Sequence, residues 1–225
     1  MPGNLKLTAS NGFTFNAYRA APEGKAKGGV VVIQEVWGVN KWVRSVADRY
    51  AKHGYVAVAP ALFDRVSMGF ESEDYEKGSI RSVLPTAMDN FDFKSALLDV
   101  EAAVKAASAG GKVGITGFCF GGAISWRAAH AGLGLSAASG YYGGGIANYI
   151  DLEPAIPLEM HYGDEDKGIP LDQVEALKAR HPNVGVHVYH AGHGFCCSDR
   201  PHSFNEAACT KASARTLEFF RKHLA

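Results

Sequence analysis

The chain has 225 residues, 47% of them hydrophobic, and its 23 lysines and arginines equal its 23 aspartates and glutamates. This length supports one large core, and no linker or internal repeat divides it, so a single domain over residues 1–225 is expected. The zero net charge argues against a nucleic-acid partner or an acidic membrane surface held by bulk charge.

The start of the chain, residues 1–7, has no apolar run of signal-peptide length, and no stretch reaches the roughly 18 apolar residues of a membrane span. We therefore expect a cytoplasmic monomer or small homo-oligomer that acts on a small molecule. Its cysteines, Cys119, Cys196, Cys197 and Cys209, are then expected to be free thiols. No CxxC accompanies them, so neither a metal nor another cofactor is predicted.

Short apolar runs alternate with stretches of helical period. Strands are predicted at 29–33, 55–59, 112–116, 136–142, 156–162 and 184–189, and helices at 41–53, 90–107, after the segment 117–122 through 131, 171–180 and 205–223. Residues 61–88 have no clear period and are predicted to form a long excursion with a short helix. The alternation predicts an α/β fold, a mostly parallel sheet with helices on both faces and reactive groups beyond the carboxyl ends of the strands.

Residues 117–122, Gly-Phe-Cys-Phe-Gly-Gly, lie between a predicted strand and a predicted helix. The pattern G-x-C-x-G is the nucleophile elbow with cysteine in place of serine. Glycines are needed on both sides because the turn is sharp, and the nucleophile is held in a strained backbone conformation. The helix that begins here directs its N–H groups and positive dipole end at the sulfur, which stabilises a thiolate. Cys119 is the candidate nucleophile, with a buried structural cysteine as the alternative.

A nucleophile needs a base, and the order expected on this fold is nucleophile, acid, histidine. The predicted strand at 156–162 ends in a turn with three acids at 164–166, any of which could instead be an ordinary turn or capping residue. His193 lies in a loop between two glycines after the last predicted strand, which makes it the candidate base. His187 and His190 are interpreted as structural or surface residues.

Gln34 and Glu35 follow the first buried strand. Burying a carboxylate without partners is costly, so Glu35 is expected either to interact with Cys119 or an arginine, or to be exposed at the strand end. The same loop matches the place where this fold supplies the second oxyanion-hole amide, here that of Val36. The first amide would be that of Phe120.

The Gln34-Glu35 pair, the cysteine elbow and the His-Gly-Phe sequence at 193–195 together resemble the dienelactone hydrolase (carboxymethylenebutenolidase) family. The resemblance runs from about residue 10 to the C-terminus. It implies an α/β-hydrolase fold, as a single domain without a large cap.

The resemblance also implies the roles of the site residues. Cys119 would be the nucleophile and His193 the general base and then the general acid. Asp166 would orient the imidazole, because the spacing Gly-x-x-Asp at 163–166 with Pro170 four residues on matches the family. Glu35 would be an extra carboxylate that interacts with the resting thiol and helps to generate the thiolate.

The chain departs from the family at its substrate-binding arginines, one of which normally follows the histidine closely. Cys196 and Cys197 stand at that place. Candidates for a replacement are Arg65, Arg81 and Arg200, with no replacement at all as the alternative. Three aromatic residues, Trp37, Tyr142 and Phe195, are candidates for lining an apolar substrate pocket, with ordinary core positions as the alternative.

The function predicted from these features is hydrolysis of an ester or lactone through an acyl-cysteine intermediate. Two alternatives stay open. One is a non-catalytic member of the fold that binds a small ligand. The other is a thiol-based redox protein in which Cys196 and Cys197 form a vicinal pair.

Overall fold

The computed structural model describes residues 4–89 and 91–225. Residues 1–3 and Asn90, the first position of the helix predicted over 90–107, lie outside this description. The chain divides into two compact units, residues 1–113 and 114–225. The expectation of a single domain over residues 1–225 stays a prediction.

Among the described residues of the first unit, four strands follow in the order β1-β2-β4-β3, and of these pairs only β3 and β4 run parallel. The strands are β1 (Leu5–Thr8), β2 (Thr14–Ala20), β3 (Gly29–Ile33) and β4 (Val56–Pro60), and the helices are α1 (Lys41–Lys52), α2 (Ile80–Val83) and α3 (Phe93–Ala107). Strands β3 and β4 are buried along their whole length, as their continuous apolar sequences predict. The β1–β2 hairpin is an addition to the predicted elements.

The second unit carries four parallel strands in the order β5-β6-β7-β8. The strands are β5 (Val113–Phe118), β6 (Ala137–Tyr141), β7 (Leu158–Gly163) and β8 (Gly185–Tyr189), and the helices are α4 (Phe120–Ala131), α5 (Leu171–Arg180) and α6 (Glu206–Leu224). Helix α5 has the predicted bounds, and the other predicted elements of this unit are present with ends that agree with the predicted ones or lie within three residues of them.

A buried polar cluster fixes α6 to the strands of the second unit. Thr216 of α6 donates a hydrogen bond to a carboxylate oxygen of Glu159 at 2.7 Å, and the Ser139 hydroxyl donates to the same oxygen at 3.0 Å. His161 completes the cluster with a ring nitrogen 3.0 Å from Glu159. Because burial without such bonds would be costly, these contacts position α6 firmly against β6 and β7.

Candidate active site

The predicted nucleophile elbow is present between β5 and α4. Cys119 immediately precedes α4 and has φ 54° and ψ −112°, a backbone conformation that is rare for a residue with a side chain. Its N–H donates to the Tyr141 carbonyl at 3.0 Å, and its own carbonyl accepts from the N–H of Gly122 at 3.0 Å. The strained turn is therefore held by backbone bonds on both sides, and the side chain remains partly exposed.

Glycine at position 117 is required by the space available. A Cβ atom there would overlap the carbonyl of Gly121. We expect Gly117→Ala to lower the free energy of unfolding by about 2–3 kcal/mol, because backbone has to shift to admit the methyl group. Gly144→Ala is the matched control, since a Cβ there has no heavy atom within 4 Å. Urea unfolding of both variants measures the difference, and equal stabilities would contradict this explanation of the turn.

His193 and Asp166 form the pair predicted from the family spacing. Nδ1 of His193 lies 2.6 Å from Oδ2 of Asp166, whose side chain is fully buried. The other oxygen of Asp166 accepts the N–H of Gly168 at 2.8 Å. This second bond, which the sequence analysis did not identify, fixes the carboxylate in the orientation that receives the imidazole.

The imidazole also interacts with the candidate nucleophile. Burial by itself lowers the pKa of His193, but the hydrogen bonds to Asp166 and to Cys119 favour the imidazolium and together raise the pKa to about 10. The imidazole of His193 thus lies between the carboxylate of Asp166 and the thiol of Cys119 in space. Such an arrangement can hold a proton on the histidine while the sulfur acts as a nucleophile.

Tyr142 and Phe195 are both fully buried beside the histidine. The ring of Tyr142 meets the imidazole of His193 edge-on, with centroids 5.1 Å apart, and the ring of Phe195 lies 5.2 Å from that of Tyr142. Tyr142 also has a positive φ of 38°, and its N–H donates to the His161 carbonyl at 2.7 Å. Their contacts favour the core alternative, in which both rings support the imidazole; substrate contact stays a prediction.

An open cleft of the second unit adjoins the pair. His193 and Asp166 line it together with His202 and Ser203 of the following loop. His190, in contrast, is exposed and faces Asp164 at 3.2 Å. Of these two histidines, His193 is therefore the one that contacts Asp166.

The candidate oxyanion-hole residues and the extra carboxylate come from both units of the chain. In the first unit, Glu35 follows β3 and is only 2% exposed, so the alternative of an exposed glutamate is wrong. Val36 and Trp37 come next and are also buried, with the ring of Trp37 5.2 Å from that of Tyr75. In the second unit, Phe120 is the first residue of α4.

Arg65 contributes to a buried ion pair in the first unit. Its Nε and Nη2 atoms contact both carboxylate oxygens of Asp99 at 2.6 and 2.7 Å, and the Asp99 side chain has no exposed surface. Its guanidinium also lies 4.3 Å from the ring centroid of Phe13. These contacts occupy one face of the guanidinium and two of its nitrogen atoms, so they favour a structural role for Arg65, and its contact with substrate stays a prediction.

We expect Arg65→Leu to lower the free energy of unfolding by about 3 kcal/mol or more, because the buried Asp99 loses its counter-charge. Arg81→Leu is the control, since Arg81 is exposed on α2, and it should change stability by less than about 0.5 kcal/mol. Denaturant unfolding distinguishes the two roles. A stable Arg65→Leu protein with a selectively raised KM would restore Arg65 as a substrate-binding residue.

The cysteines differ from the sequence expectation. Cys196 and Cys209 form a disulfide, so the expectation of four free thiols is wrong for these two. Cys119 and Cys197 are the free cysteines among the described residues. The vicinal pairing of Cys196 with Cys197, on which the redox alternative was based, is therefore not formed. Only folding brings position 209 to position 196, so spacing alone could not predict the pair.

Within residues 4–89 and 91–225, no group of three or more histidine, cysteine or acidic side chains is arranged to hold a metal ion. None of the helices in this part of the chain is long and apolar enough to cross a membrane.

Comparison with solved structures defines the class of protein. The chain matches a Klebsiella pneumoniae crystal structure assigned as a dienelactone hydrolase with a TM-score of 0.79 and 30% identity, covering 96% of this chain and 98% of the other. A dienelactone hydrolase-like promiscuous phosphotriesterase from metagenomic libraries matches at a TM-score of 0.78 and 19% identity, covering 97% of each chain. The protein has the α/β-hydrolase fold, as predicted.

The family follows from the sequence comparisons. The model of the dienelactone hydrolase family matches residues 15–224. Carboxymethylenebutenolidase 1 of Cupriavidus pinatubonensis is 31% identical, over 95% of this chain and 94% of its own length. The carboxymethylenebutenolidase of Pseudomonas putida is 28% identical, over 96% and 94%. The chain belongs to the dienelactone hydrolase family, and it is a hydrolase of ester or lactone bonds.

Proposed function

We propose that this protein cleaves a small carboxylic ester or lactone through a Cys119–His193–Asp166 triad and a covalent acyl-cysteine intermediate. The observation that carries the proposal is the position of His193, which bonds to the buried Asp166 on one side and to Cys119 on the other. An ordinary surface histidine would have no such pair of partners. The raised pKa of His193 supports a resting state with the proton on the imidazole.

The reaction would proceed in two halves. In the first, the Cys119 sulfur attacks the carbonyl carbon, a C–S bond forms, and the carbonyl electrons move to the oxygen as an oxyanion. The backbone amides of Val36 and Phe120 are the proposed donors to that oxyanion. The C–O bond then breaks, and His193 gives its proton to the leaving alkoxide.

In the second half, neutral His193 takes a proton from water, and the resulting hydroxide attacks the acyl carbon. Collapse of the second tetrahedral intermediate breaks the C–S bond and releases the acid, while the sulfur leaves as thiolate beside the imidazolium. Asp166 keeps one imidazole tautomer throughout, because its carboxylate accepts from Nδ1 and leaves Nε2 for the reaction. We also propose for Glu35 the role of a carboxylate that interacts with the resting thiol.

The names of the relatives, which are carboxymethylenebutenolidases, support a proposal for the substrate class. We propose a cyclic enol lactone or a similar small ester. Cys196 is joined to Cys209 at the place where the resemblance leads one to expect an arginine, and Arg65 is paired with Asp99. A carboxylate on the substrate is therefore not part of the proposal.

A turnover screen tests the proposal. Wild-type protein and Cys119→Ser are compared on small aryl and alkyl esters and on cyclic enol lactones, with acid release followed directly. We expect turnover of at least one substrate by the wild type and a loss of at least about 100-fold in the variant. A non-catalytic ligand binder would turn over none, and unchanged turnover by Cys119→Ser would exclude Cys119 as nucleophile.

A further inference from the structure

The loop that carries His193 is joined covalently to α6 by the Cys196–Cys209 disulfide. Cys196 lies three residues after His193, Cys209 lies in the first turns of α6, and their Cα atoms are 4.8 Å apart. The disulfide encloses the segment 196–209, which contains His202 and Ser203 of the cleft. A bond in this position constrains the geometry of the histidine loop directly.

On the α6 side of the disulfide, the helix is held to the strands of the second unit by side-chain hydrogen bonds. Thr216 bonds to the buried Glu159, and Arg215 donates to the Tyr189 hydroxyl at 3.0 Å. The loop end is held by local turns, such as Cys197 N–H to the Gly194 carbonyl at 2.9 Å, and by Asn205, whose N–H donates to the Phe195 carbonyl at 3.0 Å and whose side-chain amide donates to the His190 carbonyl at 3.1 Å. The disulfide thus adds a covalent tie to hydrogen bonds that already join the loop to the start of α6.

One aromatic residue lies between the disulfide and the histidine. Phe195 is adjacent to Cys196, and its buried ring lies 5.2 Å from the ring of Tyr142, which in turn meets the imidazole of His193 edge-on. Release of Cys196 would remove the covalent tie to α6, so that the backbone beside Phe195 is held to this helix through the Asn205 N–H, which donates to the Phe195 carbonyl at 3.0 Å. The imidazole would lose part of its alignment, and the core would stay folded.

We propose that the Cys196–Cys209 disulfide is a redox modification site that controls the alignment of the His193 loop, an inference that rests on the proposed catalytic role of His193. The co-reactant is a dithiol, either a small molecule or a thiol-disulfide exchange protein. The oxidised form holds the loop in the active arrangement. The reduced form releases it and lowers turnover.

The exchange balances as a two-electron reaction. Both cysteines are buried, Cys196 at 2% and Cys209 at 6% exposure, so the exchange requires local opening of the loop. One thiolate of the dithiol then attacks the sulfur of Cys209, and the S–S bond breaks with Cys196 leaving as a thiolate that takes up a proton. The second thiol of the reductant then attacks the mixed disulfide. The products are two protein thiols and the oxidised, cyclic disulfide of the reductant.

Thiol mapping and kinetics on the full chain test this proposal. Protein prepared without reductant is denatured, alkylated and mapped by mass spectrometry, and two of its four cysteines, Cys119 and Cys197, are expected to react. After dithiothreitol treatment all four should react. The kcat/KM for ester hydrolysis should fall about tenfold on reduction and recover on reoxidation, since small misplacements of a catalytic group cost up to about 100-fold.

Two variants separate this effect from others. Cys209→Ser should show the low kcat/KM with or without reductant, whereas Cys197→Ser should respond to reductant as the wild type does. Hydrogen–deuterium exchange of residues 190–205 should rise in reduced wild type and in Cys209→Ser. Reduction protects Cys119 from oxidation, so a fall in activity cannot come from the nucleophile.

Four reactive thiols in the unreduced protein would overturn the proposal. So would equal kcat/KM and equal exchange of the loop in the oxidised and reduced forms. If Cys209→Ser fails to fold, reduced wild type gives the same comparison. Thiol mapping and hydrogen exchange do not depend on catalysis, so a failure of the proposed triad would be seen separately, as unchanged turnover by Cys119→Ser.

Discussion

Replacing His193 by glutamine is expected to lower kcat/KM for ester hydrolysis by roughly 10⁴- to 10⁶-fold. Glutamine keeps a polar side chain of similar length, but it cannot carry a proton from the thiol to the leaving alkoxide. Because one third of the His193 side chain is exposed, the fold should tolerate the change. Steady-state kinetics on the best substrate of the screen, together with a thermal unfolding curve, measure both effects.

His190→Gln is the matched control for this variant. His190 lies in the same segment after β8, but its side chain is 83% exposed and it contacts Asp164 at the surface. Its replacement should leave kcat/KM within about twofold, as is usual for exposed positions outside a site. A His193→Gln protein as active as His190→Gln would remove the general base from the mechanism.

Replacing Asp166 by asparagine is expected to lower kcat/KM by roughly 10³- to 10⁴-fold, because the amide does not hold the imidazole in the reactive tautomer. The change should also alter the pH profile. In the proposed mechanism protonated His193 delivers the proton to the alkoxide, and its pKa is raised to about 10, so wild-type kcat/KM should fall as the pH rises through about 10. The hydrogen bond to Asp166 is one of the causes that raise this pKa, so the basic limb of Asp166→Asn should move to lower pH.

Asp172→Asn serves as the control for the aspartate. Asp172 is exposed in the first turn of α5, where its side chain accepts the N–H of Gln173. Its variant should keep the wild-type profile and rate. A basic limb that stays in place in Asp166→Asn would mean that another group titrates there.

The sequence predicts the elbow well because the requirements at that turn are local. A buried strand, a strained residue and a helix start follow one another within 113–122, and each needs a particular residue type. The glycine at position 117 is determined by the carbonyl of Gly121, four residues away. The position of the turn and the residue types that it requires can therefore both be predicted from a short segment of the sequence.

The histidine and its carboxylate depend on the order of the strands rather than on local sequence. His193 and Asp166 are 27 positions apart, but parallel β7 and β8 pair side by side and end at the same edge. The alternation of elements predicts that edge. It does not choose among the three acids at 164–166, and the choice of Asp166 came from the family spacing.

Other features follow from tertiary packing that the sequence pattern does not reveal. The sequence offers Arg65 as a candidate for substrate binding but does not reveal its ion pair with Asp99 on α3. The β1–β2 hairpin lacks a buried apolar run, because its first strand is only half covered. The pairing of Cys196 with Cys209 depends on where α6 lies, which no spacing rule supplies.

Trapping of the acyl-enzyme tests the central claim most directly. The protein is mixed with an aryl ester or enol lactone turned over in the screen and quenched in acid within the first turnovers, and its intact mass and peptide map are measured. The account predicts one added acyl group, on the peptide that contains Cys119, and none on Cys119→Ser carrying an intact Cys197. Acylation of any other residue, or turnover with no adduct on Cys119 even when deacylation is slowed by Asp166→Asn, would contradict it.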